Sequence, residues 1–218
     1  MSYMIKSTDI AKLLLEIKAV TLNLKNPYRY TSGILSPIYC DNRLIISYPD
    51  KRKTIIDAFL GLIQGNKLSF DIVAGIAIAG IPHAAWIADR LNKPMVYVRA
   101  NAKEHGKQNQ IEGKIKEGQT AIVVEDLIST GGSAISAALA LREAGIEVKD
   151  CVAIFNYELE QSAQKFFEAE IQVLSLCDFP TLIDVATKEG YLNEIEKNQA
   201  LEWNEDPVNW GKQSSVEN

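Results

Sequence analysis

Short runs of apolar residues recur along the chain, each bounded by polar or turn-forming residues. The runs are apolar throughout instead of alternating, which is typical of strands buried on both faces of a sheet. They predict strands within residues 70–80, 94–99, 119–125, 149–155 and 171–176. The first of these runs into a loop of small residues.

Segments with apolar positions at helical spacing separate these runs. They predict helices over residues 50–64, 81–91, 132–144 and 160–169, followed by two short helical segments that end near residue 200. Pro82 suits the first turn of its helix. The N-terminal segment is amphipathic, with Thr8 as the expected N-cap. Its apolar positions at helical spacing are Ile10, Leu13, Leu14, Ile17 and Leu24.

Strands that alternate with helices predict an α/β fold, a mainly parallel sheet flanked by helices on both faces. Residues 26–47 carry Pro, Gly and Ser among aromatic β-formers, which indicates short strands and turns. We therefore expect a small N-terminal hood over about residues 1–47. We expect the hood to be part of a single domain spanning 1–204, with 205–218 as a loose C-terminal tail.

Composition narrows the class of protein. The chain has 218 residues, 47% of them hydrophobic, and a net charge of −5, so it can bury one sizeable core but is a poor match for nucleic acid or anionic membranes. It contains no apolar run near the ~20 residues that span a bilayer, which favours a cytoplasmic location. Three scattered cysteines, Cys40, Cys151 and Cys177, are expected to be reduced and buried.

Two adjacent acids and a loop of small hydroxylic residues follow the strand at 119–125. The sequence there is EDLISTGGS, residues 125–133. The first N–H groups of a helix lack internal partners and carry partial positive charge, so residues 129–133 suit a phosphate. The loop is neither GxxxxGK[ST] nor GxGxxG.

Glu125 and Asp126 would repel a phosphate unless they face another group. Vicinal sugar hydroxyls, or a Mg²⁺ ion carried by the substrate, are suitable partners. The arrangement therefore favours a phosphorylated sugar, and the alternative is that the acids only cap the helix.

Two further loops should meet this one, since the carboxyl ends of parallel strands share an edge. Arg99 begins a polar segment with five basic and three acidic residues through position 117, in which Lys103 and His105 could close over an anion. A solvated surface loop explains it equally well. The small-residue segment 74–82 suits either a diphosphate or tight packing. We interpret His83 as a helix-start residue, and with two histidines and no HxxxH or HxH spacing the chain is unlike a transition-metal protein.

Several motifs together resemble the orotate phosphoribosyltransferases, a branch of the type I phosphoribosyltransferases. The likeness is greatest to the variant with an NQIEG loop and an EDLISTGGS motif, and it covers about residues 8–190. The motifs are SGILSPIYCDNR (32–43), AGIPHAAWIADRL (79–91), HGKQNQIEG (105–113), EDLISTGGS (125–133) and VAIFNYE (152–158).

The resemblance implies a Mg²⁺-dependent homodimer that joins orotate to 5-phosphoribosyl 1-diphosphate. It implies that Arg99, Lys103 and His105 bind the pyrophosphate, with catalytic roles for Lys103, His105 and Asp126. It places orotate on Ser129 and beside the backbone of Tyr39 and Cys40. The sugar and its 5′-phosphate would contact Glu125, Asp126, Leu127, Ile128, Ser129, Thr130, Gly131, Gly132 and Ser133. The metal would be held mainly through the substrate.

The chain lacks basic residues that family members carry, in many members at Thr31, commonly at Leu35, and in some members at Ala79, Ala100 and Tyr157. These departures affect base binding more than the sugar-phosphate site. Two other functions remain open from the sequence. One is a phosphoribosyltransferase for another base, such as a purine, and the other is a regulator that binds the diphosphate sugar without turning it over.

Overall fold

A computed structural model describes residues 5–30, 32–100 and 110–211 of the chain. In chain order its elements are α1 (Ser7–Glu16), β1 (Val20–Leu22), β2 (Tyr28–Arg29), β3 (Leu35–Ser36), β4 (Ile38–Cys40), a 3₁₀ helix (Asn42–Ser47), α2 (Pro49–Gly65), β5 (Ile72–Ile76), α3 (Gly80–Leu91), β6 (Met95–Val98), β7 (Ile111–Glu112), β8 (Thr120–Ile128), α4 (Gly132–Glu143), β9 (Glu147–Asn156), α5 (Glu160–Glu168), β10 (Gln172–Asp178), α6 (Phe179–Lys188) and α7 (Glu194–Glu205).

The central sheet has six strands in the order β10-β9-β8-β5-β6-β7. Its pairings are parallel except for the short edge strand β7, which runs antiparallel to β6. The predicted α/β fold with a mainly parallel sheet is confirmed. Each predicted strand forms, and β7 adds a strand within a segment whose composition indicated none.

Both faces of the sheet are buried, and this is why its strands are apolar throughout. Val73 packs into the core shared by α1, α2, α3, α6 and α7. Its neighbours Ile72 and Ala74 pack into a second core, against α4 and α5. Successive strand residues point to opposite faces, so neither face can carry polar residues.

The strand β8 is longer than predicted. It continues through the acid pair to Ile128, and Ile128 pairs with Asn156 of β9. The predicted end at residue 125 is therefore wrong by three residues. The polar residues suggested a strand end, but the ladder with β9 continues past them.

The start of α1 also differs from the prediction. Lys6, not Thr8, is the N-cap, and the Lys6 amide donates to Asp9 Oδ2 at 3.0 Å. The carboxylate of Asp9 thus satisfies an amide that precedes the helix. The helix ends at Glu16, so Leu24 lies beyond it.

The hood consists of two small antiparallel sheets, β1 with β4 and β2 with β3. The last helix attaches it to the domain, because Trp203 Nε1 of α7 donates to the carbonyl of Leu35 at 2.9 Å. Beyond α7, Trp210 Nε1 donates to the carbonyl of Gln199 at 3.0 Å. The proposed boundary between residues 204 and 205 stays a prediction.

Cys151 and Cys177 are buried free thiols, as predicted, whereas Cys40 is only half-buried. Cys40 ends an edge strand of the hood, which covers it less completely than the central sheet covers the other two. Across the residues that the structure describes, the helices are too short or too polar to cross a membrane.

Candidate functional site

A cleft lies at the carboxyl edge of the sheet, where the loops after β5, β6 and β8 meet. It encloses a cavity of about 240 Å³. Residues from all three loops line it: Ile76, Ala77, Arg99, Ala100, Gly132 and Ser133. The predicted convergence of the three loops is confirmed for these residues.

Beside the cleft, β8 presents two carboxyls with little solvent around them. Glu125 is 7% exposed and Asp126 is half-buried. The Asp126 amide donates to Glu125 Oε1 at 3.1 Å. Burial raises the pKa of both carboxyls, and the charge of Asp126 raises the pKa of Glu125 further. Such a pair gains from a ligand that brings hydroxyl donors or a cation.

The small-residue loop before α3 lies directly against this part of β8. A Cβ atom at Gly80 would overlap the carbonyl oxygen of Val124 and would lie 3.4 Å from Glu125 Cα. Ala77, earlier in the same loop, lines the cavity. The tight-packing interpretation of segment 74–82 is confirmed at Gly80, where two backbones touch. Ala77 faces the cleft, and a diphosphate bound there stays a prediction.

The loop from Ser129 to Gly131 turns sharply from β8 into α4. Gly131 has a φ of +76°, in the left-handed region, and a Cβ there would lie 2.6 Å from the ring of Phe166. Ser129 is half-buried, whereas Thr130, Gly132 and Ser133 are exposed at the start of α4. Accessible hydroxyls and amides at a helix N-terminus can bind a phosphate.

Leu127 and Ile128 leave only their backbone groups to face a ligand. Both side chains pack into the cores, Leu127 on one face of the sheet and Ile128 on the other. The Ile128 carbonyl already accepts a hydrogen bond from the Tyr157 amide at 2.9 Å.

Arg99 stands at the rim of the cleft. Its guanidinium lies 3.6 Å from Glu112 Oε1, with 35% of the side chain exposed. Its amide donates to the carbonyl of Gln110 at 2.9 Å. Lys103 and His105 lie outside the described residues, as does Thr31.

The hood closes the other side of the acid pair. The Tyr39 ring is 43% exposed and packs against Tyr28, with ring centroids 5.6 Å apart. Burial and then the nearby Asp126 carboxyl raise the pKa of the Cys40 thiol well above its usual range. Asn42 Nδ2 donates to the Asp126 carbonyl at 2.7 Å. The segment expected to meet a base thus borders the acids expected to hold a sugar.

Two of the departures from the family pattern have structural roles here. Tyr157 is buried, and its ring contacts Phe155, Phe179 and Trp203. Leu35 is half-buried at the point where Trp203 binds the hood. Neither position can present a charged group to a ligand as a basic residue would, while Ala100 lines the cavity with a small side chain.

No group of three or more His, Cys, Asp or Glu side chains suited to hold a metal occurs within 5–30, 32–100 and 110–211. His83 lies in the first turn of α3, buried, and neither of its ring nitrogens has a hydrogen-bond partner among the described residues.

Comparison with known proteins connects this chain to a family. The model of the phosphoribosyl transferase domain matches residues 49–171. An orotate phosphoribosyltransferase of Coxiella burnetii is 69% identical over 205 residues, which are 94% of this chain and 98% of that protein. One of Enterococcus faecalis is 50% identical over 203 residues, which are 93% and 97% of the two chains. The crystal structure of orotate phosphoribosyltransferase from Aeropyrum pernix has a TM-score of 0.73 at 28% identity and covers 84% of this chain and 99% of its own.

Proposed function

Because the chain belongs to the orotate phosphoribosyltransferases within the phosphoribosyl transferase family, we propose that it transfers the 5-phosphoribosyl group of 5-phosphoribosyl 1-diphosphate to orotate. The products are orotidine 5′-monophosphate and pyrophosphate, in pyrimidine biosynthesis. The observation that carries this proposal is the 69% identity to the Coxiella burnetii enzyme over 98% of that protein's length.

In this proposal the sugar phosphate binds across β8 and the start of α4. The 5′-phosphate accepts hydrogen bonds from the amides and hydroxyls of residues 129–133. The ribose hydroxyls donate to Glu125 and Asp126. Glu125 is buried and Asp126 is half-buried, so water gives the two carboxyls few hydrogen-bond donors. The ribose hydroxyls supply these donors instead.

The reaction breaks the bond between C1 of the ribose and the diphosphate oxygen, and orotate nitrogen forms the new bond to C1. Positive charge develops on the sugar, and the carboxylates at 125 and 126 favour it. Negative charge develops on the departing pyrophosphate. Arg99, at the rim of the same cleft, and Lys103 and His105 of the following segment are proposed to stabilise that charge.

The site fits a divalent cation of the kind that the family uses. Mg²⁺ would be held mainly through oxygens of the substrate, with the acid pair adding negative charge nearby, since neither carboxyl has a cationic partner in a hydrogen bond or ion pair among the described residues. Mg²⁺ bound with the diphosphate would neutralise part of the charge on the leaving group. The chain's own contribution is to hold the sugar in a cleft where water is scarce.

Orotate is proposed to lie between the hood and Ser129, beside the backbone of Tyr39 and Cys40. This placement is supported by the approach of the hood to the acid pair through Cys40 and Asn42. We further propose a homodimer in which the segment carrying Lys103 and His105 completes the neighbouring site, as the resemblance implies.

An absorbance assay tests the proposed reaction. The protein is mixed with orotate, 5-phosphoribosyl 1-diphosphate and Mg²⁺, and we expect the orotate absorbance to fall. Turnover with a purine base but none with orotate would assign a different substrate. Binding of the diphosphate sugar with no turnover of any base would indicate a regulator.

Lys103→Ala tests the role given to the segment after Arg99. Loss of one cationic donor is expected to lower turnover by about 10²-fold, roughly 3 kcal/mol, with a modest change in substrate binding. Unchanged turnover at saturating substrates would remove the segment from the mechanism.

A further inference from the structure

Asn42 is a buried polar residue that lies between the hood and the acid pair. It begins the 3₁₀ helix of the hood and is 1% exposed. It lies 84 residues from Asp126 in sequence, yet its Nδ2 atom donates to the Asp126 carbonyl at 2.7 Å. Only the amino half of the side chain can donate to a carbonyl, so the orientation of the amide is determined.

The hydrogen bond is made to the part of β8 that carries the acid pair. The backbone of Asp126 leads from the acid pair into the phosphate loop that follows it. Its carbonyl oxygen would otherwise face the buried boundary between hood and sheet, where an unsatisfied polar group is costly.

The same residue lies next to the base side of the site along the chain. Cys40, one of the residues proposed to border orotate, precedes it by two positions. Asn42 therefore connects the hood segment beside the proposed base position to the backbone of the acid pair.

We propose that Asn42 is a positioning residue that sets the acid pair at the distance and orientation needed to bind ribose. It acts through the Asp126 backbone and does not touch the substrate. This inference rests on the proposed function, because it assigns the acids to the ribose.

A second ligand separates this role from general stabilisation. Pyrophosphate has no ribose, and its proposed contacts are with Arg99 and the segment that follows. Loss of a ribose-specific contact should weaken binding of the diphosphate sugar and leave binding of pyrophosphate unchanged.

The test measures binding by titration calorimetry with Mg²⁺ present, which does not require turnover of orotate. Asn42→Ala is expected to weaken binding of 5-phosphoribosyl 1-diphosphate about tenfold, the effect of one hydrogen bond of ordinary net strength. Its affinity for pyrophosphate is expected to stay within about twofold of the wild type. Asn42→Ser, too short to reach the carbonyl, should reproduce both results if the alanine variant does not fold.

Asn204→Ala is the matched control. Asn204 Nδ2 also donates to a main-chain carbonyl at 2.7 Å, that of Tyr157, on the side of α7. We expect a lower melting temperature in this variant with unchanged affinity for the diphosphate sugar.

Three results would overturn the inference. One is unchanged affinity for the sugar in the Asn42 variants, another is an equal loss for sugar and pyrophosphate, and the third is the same loss in Asn204→Ala. A wild-type protein that binds no 5-phosphoribosyl 1-diphosphate would instead refute the proposed function, and this inference with it.

Discussion

Glu125 and Asp126 are adjacent carboxyls in β8, flanked on both sides by residues of the core. Val124 packs into the first core, and Leu127 packs against it. The pairing with β9 keeps one register from Val124 to Ile128. The backbone that carries the two acids is therefore held in place by the sheet.

Glu125→Gln is expected to stabilise the folded protein and to impair binding of the sugar. The raised pKa of Glu125 in the folded state makes its contribution to stability full below the unfolded pKa and progressively lost as the pH rises. The variant should therefore melt above the wild type at pH 8, and the difference should shrink towards pH 4. Losing one carboxyl oxygen that accepts a hydrogen bond from the ribose should weaken binding of the diphosphate sugar about tenfold.

Melting curves across this pH range and calorimetric titrations measure both effects of Glu125→Gln. Glu143→Gln, at an exposed position on α4, is the control. A variant that melts below the wild type at pH 8 would contradict the account.

Titration of His83 changes the stability of the folded protein with pH in the direction opposite to titration of Glu125. Burial lowers its pKa from 6.5 to about 4. Its contribution to stability is therefore present above pH 6.5 and lost as the pH falls towards 4, by about 3 kcal/mol in total. His83→Leu removes this titration, so the variant should lose less stability than the wild type between pH 7 and pH 4.5.

Urea unfolding of both proteins at the two pH values measures the His83 effect. Glu125 titrates in both, so only the difference between the two proteins isolates the histidine. Equal losses of stability in the two proteins would show that His83 does not contribute to the pH dependence.

At the scale of elements, the turn from β8 into α4 depends on one glycine more than on its neighbour. Gly131 has a positive φ, and a Cβ there would lie 2.6 Å from Phe166 and 3.0 Å from Ser162 Oγ on α5. At Gly132 the nearest atom to an added Cβ is 4.0 Å away. The position of α5 therefore determines which of the two glycines the loop needs.

Gly131→Ala is expected to lower the free energy of unfolding by at least about 2 kcal/mol, through backbone strain and overlap with the Phe166 ring. Gly132→Ala should change it by less than about 0.5 kcal/mol, because the new methyl group meets no neighbour. Urea titrations of the two variants provide the comparison. Equal losses would mean that the contact with α5 is unimportant.

At the scale of the whole molecule, α7 is joined to the N-terminal hood. Trp203 of α7 binds the carbonyl of Leu35, and its ring packs against Phe179 and Tyr157. Tyr157 in turn places its hydroxyl 3.3 Å from that of Tyr30 in the hood. The last helix thereby helps to hold the hood over the carboxyl edge of the sheet.

Trp203→Phe should loosen the hood without unfolding the sheet. It removes the indole donor and leaves the Leu35 carbonyl buried without its partner, at a cost of about 1–3 kcal/mol. Hydrogen exchange should accelerate at hood amides between residues 28 and 40 and stay slow in β8. Trp210→Phe removes a similar indole donor on the C-terminal side and should leave the hood unchanged. Equal exchange in the hood of both variants would contradict this role.

The sequence alone predicted the layers of the fold and the chemistry of one loop. Runs that are apolar throughout indicate strands buried on both faces, and this signal is local, so the five parallel strands of the central sheet were found but the edge strand β7 was not. Glu125, Asp126 and the residues up to Ser133 are adjacent in the chain, so their combination of acids, hydroxyls and glycines is visible in the sequence itself.

The tertiary structure decided what depends on partners distant in the chain. The end of β8 is set by pairing with β9, and the need for Gly131 by Phe166 of α5. Asn42 and Asp126 are 84 residues apart, and Trp203 and Leu35 are 168 apart. Local periodicity reports which face of an element is buried but not which distant group meets it, and so these contacts required the folded chain.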